Sequence, residues 1–354
     1  MYQPNYLITD KLLNTIAQIE SIRSRVDTSY ILPERETEMR YRATVEATHS
    51  STSIEGNPLN IKQVEKVLSE KEPRLTRHQY AEIEVRNYKK ALDFVDKRKS
   101  AGEKLDATDI LKIHKIVADR LIDEPEKIGA WRNNLVYITD GNDQALYNAP
   151  AAEMVPREVE ELLNWLNGAS YDIHPVIAAA ILHFQFVSIH PFADGNGRTT
   201  RLLTALYLGL RNYDFRSALV LDSYYSTDKA SYYAALHCVQ GDNYKIAKVA
   251  QLNPWLDYFS DGFLSSAKVL SAEVTLLSSA IQQLPKPHKL SRDETDLLSY
   301  IQQFGSIALS EAESILPHAS RRTVQRRLKG LVDNGYLVAE GSTNTAAYQI
   351  KRLR

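Results

Sequence analysis

The chain has 354 residues, of which 44% are hydrophobic and 25% are charged, and its formal net charge is −1. The length allows about two to three domains, and the composition excludes disorder as the main state. The charge excludes polyanion binding by the chain as a whole, and the single cysteine, Cys238, excludes a disulfide framework and a cysteine-rich zinc site. We expect Cys238 to be a small buried hydrophobic residue. Because residues 1–10 lack signal-peptide features and no apolar run reaches about 18 residues, we expect a cytoplasmic protein without a membrane span.

The N-terminal part has the periodicity of helices. Residues 34–55 form a charged segment with scattered apolar positions. Gly56, Asn57 and Pro58 should end this helix, because glycine favours the position after a helix end and proline cannot continue the helix. Further amphipathic helices are predicted over 76–98 and 106–122.

Residues 133–150 break the helical pattern. A short apolar run, the turn residues at 140–143 and a second run at 145–147 predict a β-hairpin. Its first strand is predicted to contain Leu135, Val136, Tyr137 and Ile138. Two helices follow, over 153–168 and 175–189, and the second is apolar on nearly all sides, which predicts burial at the centre of its domain.

The C-terminal part has a different pattern, with a linker, short capped helices and short strands. Residues 282–290 contain two prolines and indicate a linker. Capping boxes are predicted at Ser291 with Glu294 and at Ser310 with Glu313. Ser320 can cap a third helix, and two short strands then flank a Gly-Ser-Thr-Asn turn. The apolar face of that third helix consists of Val324, Leu328, Leu331 and Val332. Three short helices followed by a hairpin resemble a winged helix-turn-helix.

The loop between two apolar helices reads His-Pro-Phe-Ala-Asp-Gly-Asn-Gly-Arg-Thr-Thr-Arg over residues 190–201. Gly195 and Gly197 leave backbone N–H groups open to an anion, and a helix predicted over 202–210 attracts phosphate to its N-terminus. Arg198 and Arg201 lie on one side of this helix start, where they need an anion to offset repulsion by the helix dipole. The loop therefore predicts a polyphosphate site.

Three further side chains give this loop its chemistry. Asp194 is a hard oxygen ligand placed where Mg²⁺ would bridge phosphates. Asn196 can position a phosphate oxygen or the loop itself. His190 is the only side chain of the loop that titrates near pH 7, which makes it the candidate general base. His183 lies on the same helical face, but no third ligand has metal spacing, so we expect a core histidine.

With every signature position present, the loop resembles the sequence H-P-F-x-D-G-N-G-R-x-x-R of the Fic family, and the resemblance extends over about residues 35–260. It implies an all-α core with a β-hairpin flap. It also implies adenylylation, the transfer of AMP from ATP to a Tyr, Ser or Thr hydroxyl of a target protein or of the chain itself. His190 would deprotonate the hydroxyl, Asp194 would hold Mg²⁺ across the α- and β-phosphates, and pyrophosphate would leave.

The resemblance also assigns the ATP contacts. Gly195, Asn196 and Gly197 would cradle the phosphates. Arg198 would bind the β-phosphate and Arg201 the γ-phosphate. Relatives with Lys in place of Gly197 bind the nucleotide reversed and transfer phosphate instead, so a glycine at this position argues against that reaction.

Other site residues follow from the same resemblance. Tyr232 and Tyr233 would wall the adenine, although a tyrosine pair on a helix is often core. Gln240 would bond to the nucleotide, but many relatives have Asn there. The hairpin over 135–147 would be the flap that aligns a target segment by strand addition, with a purely structural hairpin as the alternative. The segment Gly-Ala-Trp-Arg at 129–132 matches a pattern that commonly precedes the flap.

The segment Ser51-x-x-x-Glu55-Gly56 matches a second family pattern, S/T-x-x-x-E-G/N, which marks an autoinhibitory helix. A carboxylate in the last helical turn is disfavoured by the dipole and gains by finding a cation. The resemblance pairs Glu55 with Arg201, which would keep the γ-phosphate from seating. Ser51 would hydrogen-bond into the nucleotide site or brace the helix.

The C-terminal part is basic. Residues 286–354 contain eleven Lys or Arg and seven Asp or Glu, a net charge of +4. The basic residues of the third helix are expected away from its apolar face, as a recognition helix presents them to DNA. They are Arg321, Arg322, Arg326, Arg327 and Lys329. A solvated face and a protein-docking surface remain alternatives.

We therefore expect an all-α protein adenylyltransferase that uses ATP and Mg²⁺ and is autoinhibited by Glu55. The alternatives are a DNA-binding regulator whose Fic part senses nucleotide, and removal of AMP by the same site. A homodimer also stays open. The expected regions are a helical region over 1–110 with the inhibitory helix at about 34–56, a Fic core over 111–260, a helical connection over 261–285 and a winged helix over 286–354.

Overall fold

A computed structural model of the chain describes residues 2–70, 79–100, 104–139, 145–282, 290–340 and 347–350. Helices dominate these residues, as predicted for an all-α fold. The helices are α1 (Asp10–Thr28), α2 (Pro33–Ile54), α3 (Ile61–Ser69), α4 (Tyr80–Lys99), α5 (Ala107–Val117), α6 (Val155–Leu166), α7 (Pro175–Ile189), α8 (Asn196–Leu210), α9 (Asp222–Thr227), α10 (Lys229–Gln240), α11 (Tyr244–Ala247), α12 (Asn253–Gln282), α13 (Arg292–Phe304), α14 (Leu309–Ile315) and α15 (Arg321–Asp333). The strands are β1 (Tyr137–Thr139), β2 (Ala145–Asn148), β3 (Ile307–Ala308), β4 (Leu337–Glu340) and β5 (Ala347–Ile350). The chain divides into two compact units, Met1–Glu273 and Val274–Arg354, at a point inside α12.

Helix α2 carries the segment predicted to be inhibitory. It begins at Pro33, where proline suits the first helical position because its missing N–H would have no partner there. It ends at Ile54, and Gly56 adopts a φ of +98°, the left-handed conformation that favours glycine after a helix end. Glu55 is thereby fixed at the C-terminus of α2, as the sequence predicted.

Helix α7 has the bounds that the sequence predicted, and every residue from 176 to 189 is buried. His183 lies in this core, with Nδ1 3.1 Å from Thr204 Oγ1 and Nε2 2.9 Å from the Tyr232 hydroxyl. Burial lowers the pKa of His183 to about 3, so both ring nitrogens serve a neutral, hydrogen-bonded core histidine. Although α7 is so apolar, neither it nor any other described helix is long and apolar enough to cross a membrane.

The other predicted helices of this unit are present with shifted ends. The segments predicted over 76–98, 106–122 and 153–168 correspond to α4, α5 and α6. Residues 76–78 lie outside the described part of the chain. Helix α5 ends earlier than predicted, at Val117, where Ala118 N–H still bonds to the His114 carbonyl before the chain turns.

The predicted β-hairpin is present as strands β1 and β2, which pair antiparallel with Ile138 opposite Tyr147. The register shifts between Ile138 and Thr139, which is an irregularity of the bulge kind. Tyr147 is buried, and its hydroxyl donates to the Ser188 carbonyl at 2.8 Å. The description of Tyr137 and Ile138 covers their backbone only, and the turn predicted at 140–143 lies outside the described residues.

The first strand starts later than predicted. It begins at Tyr137, so the prediction that Leu135 and Val136 belong to it was wrong. Just before the strand, the Asn134 carbonyl accepts a hydrogen bond from Arg132 Nη1 at 2.7 Å instead of from a neighbouring strand. Leu135 is accordingly 58% exposed rather than part of a sheet face.

The second unit, described by itself, contains α13, α14 and α15 and an antiparallel sheet with the strand order β3-β5-β4. One apolar face of α15 is buried, as predicted, and its buried members are Val324, Leu328 and Leu331, with Val332 packed against them. The segment 283–289, which holds the prolines of the predicted linker, and residues 341–346 of the predicted turn lie outside the described residues.

Two of the three caps predicted for this unit are present. Ser291 and Ser320 each accept a hydrogen bond from a backbone N–H three residues further on. The box predicted from Ser310 was wrong, because Ser310 lies inside α14. Instead, the Ala308 N–H donates to Glu311 Oε2 at 2.7 Å, so the helix begins before the serine.

Most of the basic side chains predicted on the solvent face of α15 are exposed, namely Arg321, Arg322, Arg326 and Lys329. The prediction for Arg327 was wrong. Its side chain is 31% exposed and lies 3.7 Å from Asp293 and 3.9 Å from Glu294. Carboxylates at the N-terminus of α13 therefore draw this guanidinium away from the solvent face.

The expectation that Cys238 is buried was also wrong, since the thiol is exposed. The buried side of α10 carries Tyr232, Leu236, Val239 and Gln240. The helical repeat turns the neighbouring position 238 outward. An apolar neighbourhood in sequence therefore did not determine which side of the helix the cysteine occupies.

Candidate active site

The loop of residues 190–195 joins the end of α7 to the start of α8. His190 has a φ of 50° and Gly195 a φ of +77°, so left-handed residues stand at both ends of the loop. Helix α8 begins at Asn196, six residues before the predicted start at Leu202. The prediction was late because it followed the apolar pattern, which starts only at Leu202. The earlier start sets Arg198 in the first turn of α8 and Arg201 in the second.

Asn196 shapes the loop from within. Its Oδ1 accepts the Phe192 N–H at 2.9 Å, and its Nδ2 donates to the Phe192 carbonyl at 2.9 Å. The side chain is buried, and its amide is engaged on both sides. Of the two roles predicted for Asn196, the structure therefore favours holding the loop over a side-chain contact to phosphate.

His190 is held as a neutral base. Its Nδ1 is buried within the protein. Burial lowers the pKa of His190 to about 4, and the Val187 carbonyl, Glu55 and Asp194 oppose this only in part. The prediction that His190 titrates near pH 7 was therefore wrong, and at neutral pH the imidazole is uncharged, with a lone pair able to accept a proton.

Arg201 is buried among acceptors that come from α2 and α9. Its Nη2 donates to Glu55 Oε1 at 2.7 Å and to the Ser51 carbonyl at 3.0 Å. Its Nε donates to Ser51 Oγ at 2.6 Å and lies 3.2 Å from Asp222 Oδ1. The structure thus brings the three residues Ser51, Glu55 and Arg201 together. A Cβ added at Gly197 would collide with the Glu55 carboxylate, so the glycine leaves room for this ion pair.

Arg198 has a partner that the sequence did not predict. Its Nη1 donates to Glu84 Oε1 at 2.7 Å, while Nη2 lies 3.5 Å from Asp194 Oδ2. Glu84 in turn accepts from Asn57 Nδ2 at 2.7 Å. Burial raises the pKa of Glu84, and Arg198 and Asn57 oppose that rise. The end of α2 is thereby linked to the phosphate-binding candidate Arg198.

Asp194 is suited to hold Mg²⁺. Its side chain is 66% exposed, and one oxygen, Oδ1, accepts the Gly195 N–H at 2.6 Å. The other oxygen, Oδ2, lies 3.5 Å from Arg198 Nη2. No group of three or more metal-binding side chains occurs in the described part of the chain. This donor set fits Mg²⁺, which is commonly bound through one or two carboxylates together with substrate phosphates.

Of the residues predicted to contact the adenine or the rest of the nucleotide, some are buried in the core and one is exposed. Tyr232 is buried, its ring stacks 4.7 Å from that of Tyr225, and its hydroxyl serves His183. Gln240 is buried too, and its Nε2 donates to Ser188 Oγ at 2.9 Å. Tyr233 is 48% exposed. Tyr232 and Gln240 therefore have partners in the core. Of the three residues, Tyr233 is the one whose ring is exposed enough to contact an adenine.

His114 and Asp222 were missed in the sequence. Gly129 N–H donates to His114 Nδ1 at 3.0 Å, so the proton sits on Nε2, which donates to the Asp194 carbonyl at 3.0 Å. The His114 ring stacks on Phe192 with centroids 3.7 Å apart. Burial lowers the pKa of His114 to about 4. Burial also raises the pKa of the Asp222 carboxyl. Helical periodicity marks such positions only as buried, and nothing in the sequence ties them to the loop.

Comparison with known proteins agrees with this site. Residues 104–208, which include the whole loop, match the model of the Fic/DOC family. Over these residues the chain is similar to a Fic domain. Protein adenylyltransferase Fic of Drosophila melanogaster is 28% identical over 308 residues, which cover 84% of this chain and 56% of that protein. Protein adenylyltransferase fic-1 of Caenorhabditis elegans is 29% identical over 213 residues, 59% of this chain and 38% of that protein. The chain thus spans about half the length of the curated relatives it matches.

Solved structures share the fold around the Fic domain. A Fic family protein from Desulfovibrio desulfuricans G20 superposes with a TM-score of 0.63 and 25% identity, covering 100% of both chains. Residues 134–508 of Fic-1 from C. elegans give a TM-score of 0.56 at 23% identity, over 76% of this chain and 73% of that one. The helical core described here is therefore the Fic fold.

Proposed function

We propose that this chain transfers AMP from ATP to a hydroxyl side chain of a protein. The observation that carries the proposal is the complete motif of residues 190–201, which runs from a neutral His190 at the end of α7 to Arg201 in the second turn of α8. Helix α8 offers the N–H groups of its first turn to phosphate, because the first four N–H groups of a helix have no partner within it. The names of the curated relatives support the same reaction.

The proposed reaction is an in-line displacement at the α-phosphorus. His190 takes the proton of the attacking Tyr, Ser or Thr hydroxyl. The oxygen forms a bond to the α-phosphorus while the bond to the pyrophosphate oxygen breaks, and pyrophosphate leaves with that electron pair. Arg198 and Arg201 offset its charge, which is the main task of a protein in phosphoryl chemistry. Mg²⁺, held by Asp194, would neutralise phosphate charge when bound.

We further propose that Glu55 inhibits this reaction. Its carboxylate occupies the Arg201 guanidinium, which the γ-phosphate would otherwise use. The Glu55 side chain is 27% exposed, so it can move out towards solvent when phosphate replaces it. The alternative is that the same residues remove AMP from a modified protein, with Glu55 as the catalyst. The Glu55 variants must distinguish this reaction from inhibition of AMP transfer.

The direct test of the proposed function is the mass of the modified protein. Purified chain and a cell lysate are incubated with ATP and Mg²⁺, and acceptors are identified by peptide mass spectrometry. A mass increase of one AMP on a hydroxyl side chain is the expected result. Consumption of ATP with no protein adduct on any acceptor, including the chain itself, would contradict the proposal.

Replacing Asp194 tests the metal. Asp194→Asn keeps an acceptor for the Gly195 N–H but loses the charge, so we expect Mg²⁺-dependent nucleotide binding to weaken to the level of the wild type in EDTA. Binding of a fluorescent ATP analogue, titrated with and without Mg²⁺, measures the effect. Asp119→Asn, which removes an exposed carboxylate elsewhere, is the matched control and should bind like the wild type. Unchanged transfer of AMP in EDTA would disprove the metal role.

The exposed face of α15 favours a second function, DNA binding by the C-terminal unit. Arg322, Arg326 and Lys329 are exposed on one helix that is capped by Ser320. Arg321 belongs to the same face but lies 3.4 Å from Glu313. A basic helix of this kind, in a unit with net positive charge, has the electrostatic pattern of a recognition helix. Docking of an acidic protein is the alternative.

We expect the full chain to bind a short mixed-sequence DNA duplex, with an affinity that falls as salt rises. The slope of log K against log salt is negative, and each lost phosphate contact should reduce its magnitude by about 0.9. Fluorescence anisotropy should therefore give shallower slopes for Arg322→Gln and Arg326→Gln, while Arg157→Gln, an exposed arginine on α6, should leave the slope unchanged. Absence of binding at low salt, or equal slopes in all variants, would rule out this surface as the DNA contact.

A further inference from the structure

Arg132 is buried between the hairpin and the loop, and each of its three guanidinium nitrogens donates to a main-chain carbonyl. Its Nε donates to the His190 carbonyl at 2.8 Å. Its Nη1 donates to the Asn134 carbonyl at 2.7 Å, and its Nη2 to the Pro150 carbonyl at 2.5 Å. The backbone N–H of Arg132 also donates to the Pro191 carbonyl at 2.9 Å. One residue thus holds four carbonyls in two separate segments.

These carbonyls belong to the two structures that a transfer reaction must align. Asn134 and Pro150 stand just outside the two strands of the hairpin, at its two feet. His190 is the candidate base. A guanidinium is a planar fork with its donors in fixed directions, so it sets the position of both segments at once. Its charge also lies beside the C-terminus of α7, where the helix dipole favours a cation.

Neighbouring contacts strengthen the same connection. The Tyr147 hydroxyl of β2 donates to the Ser188 carbonyl near the end of α7. The Trp131 ring lies 5.1 Å from that of Phe192, inside the loop. The hairpin and the loop are therefore joined at several points, with Arg132 at the centre.

The backbone of His190 needs such support. A non-glycine residue with φ of 50° is in the left-handed region, which costs free energy and persists only where surrounding contacts hold it. The bond from Arg132 Nε fixes the carbonyl of this same residue. Loss of the fork would release both the His190 backbone and the feet of the hairpin.

We propose that Arg132 is a positioning residue, which fixes the hairpin relative to His190 so that a hydroxyl presented along the hairpin meets the base. This inference rests on the proposed AMP transfer and adds a residue to it. Arg132 donates to carbonyls and shares no partner with Arg198 or Arg201 in the described residues. Nucleotide binding should therefore not depend on it.

The test compares Arg132→Lys with Arg211→Lys in a Glu55→Gly background. Arg211 is a matched control, because it too donates to several main-chain carbonyls, those of Ser170, Tyr171 and Ile173. Lysine keeps the charge but loses the fork. A displacement of about 1 Å can cost about 10²-fold in rate, so we expect Arg132→Lys to lower kcat for self-labelling with AMP by about that factor. The KM for ATP and the melting temperature should stay near those of Arg211→Lys.

Chemical rescue separates positioning from folding. Adding guanidinium to Arg132→Gly should restore part of the rate, whereas methylammonium should not, because only guanidinium reproduces the fork. Equal rates for Arg132→Lys and Arg211→Lys would overturn the proposal, and so would a loss that follows melting temperature and resists rescue. If the Glu55→Gly parent itself transfers no AMP, the proposed function fails and this inference falls with it. If the parent is active and Arg132→Lys matches the control, only the inference fails.

Discussion

His190→Ala should lower AMP transfer by about 10²–10⁴-fold, which is the usual contribution of a general base. The reason is that His190 carries the one imidazole of the loop, and burial lowers its pKa to about 4, so that at neutral pH the ring is uncharged and has a lone pair for the proton of the hydroxyl. Nucleotide binding should persist, because His190 stands at the opposite end of the loop from the N-terminus of α8. Initial rates of labelling from α-labelled ATP measure the effect, with binding of a fluorescent ATP analogue measured alongside.

His237→Ala is the matched control for this experiment. His237 is exposed on α10, so its replacement should leave the rate unchanged. Transfer by His190→Ala at the rate of the control would remove this residue from the mechanism. Loss of nucleotide binding together with the rate would instead assign His190 to the structure of the loop.

Glu55→Gly should raise AMP transfer severalfold or more. The replacement frees Arg201 Nη2 from a carboxylate at 2.7 Å and leaves it for the γ-phosphate. Because Glu55 lies at the end of α2 rather than inside it, a glycine there should cost little helix stability. Self-labelling and labelling of lysate acceptors from α-labelled ATP, at matched ATP and Mg²⁺, measure the change.

Two controls accompany the Glu55 variant. Glu46→Ala removes a carboxylate of the same helix that is not among the Arg201 partners in the described residues, and it should behave like the wild type. Arg201→Ala should not be activated, because it removes the phosphate ligand together with its inhibitory partner. If Glu55→Gly is no more active than Glu46→Ala on any acceptor, the inhibitory role is wrong. Slower removal of AMP from a pre-labelled acceptor by Glu55→Gly would then assign Glu55 to the reverse reaction.

Local sequence signals predicted those parts of the fold that depend on neighbouring residues. The end of α2 followed from Gly56, and the extent of α7 followed from its apolar character. The pairing of Glu55 with Arg201 needed the family resemblance, since the two are far apart in sequence. It is nevertheless the pair that the structure contains.

The partners of the loop could not be predicted, because they come from distant helices. Glu84 of α4, His114 of α5 and Asp222 of α9 meet the loop only after the helices pack. Periodicity marks a position as buried without naming its partner. The same limit explains Tyr232, which the resemblance assigned to the adenine but which has its hydroxyl bonded to His183 in the core.

The measurement that tests AMP transfer most directly is the fate of each phosphate label in the Glu55→Gly variant. The variant is incubated in parallel with α-labelled and γ-labelled ATP in the presence of Mg²⁺, and the protein is separated from small molecules before counting. We expect the α label to stay on protein, the γ label to leave with pyrophosphate, and His190→Ala in the same background to abolish the protein label. Retention of the γ label on protein, or of neither label on any acceptor, would contradict this expectation.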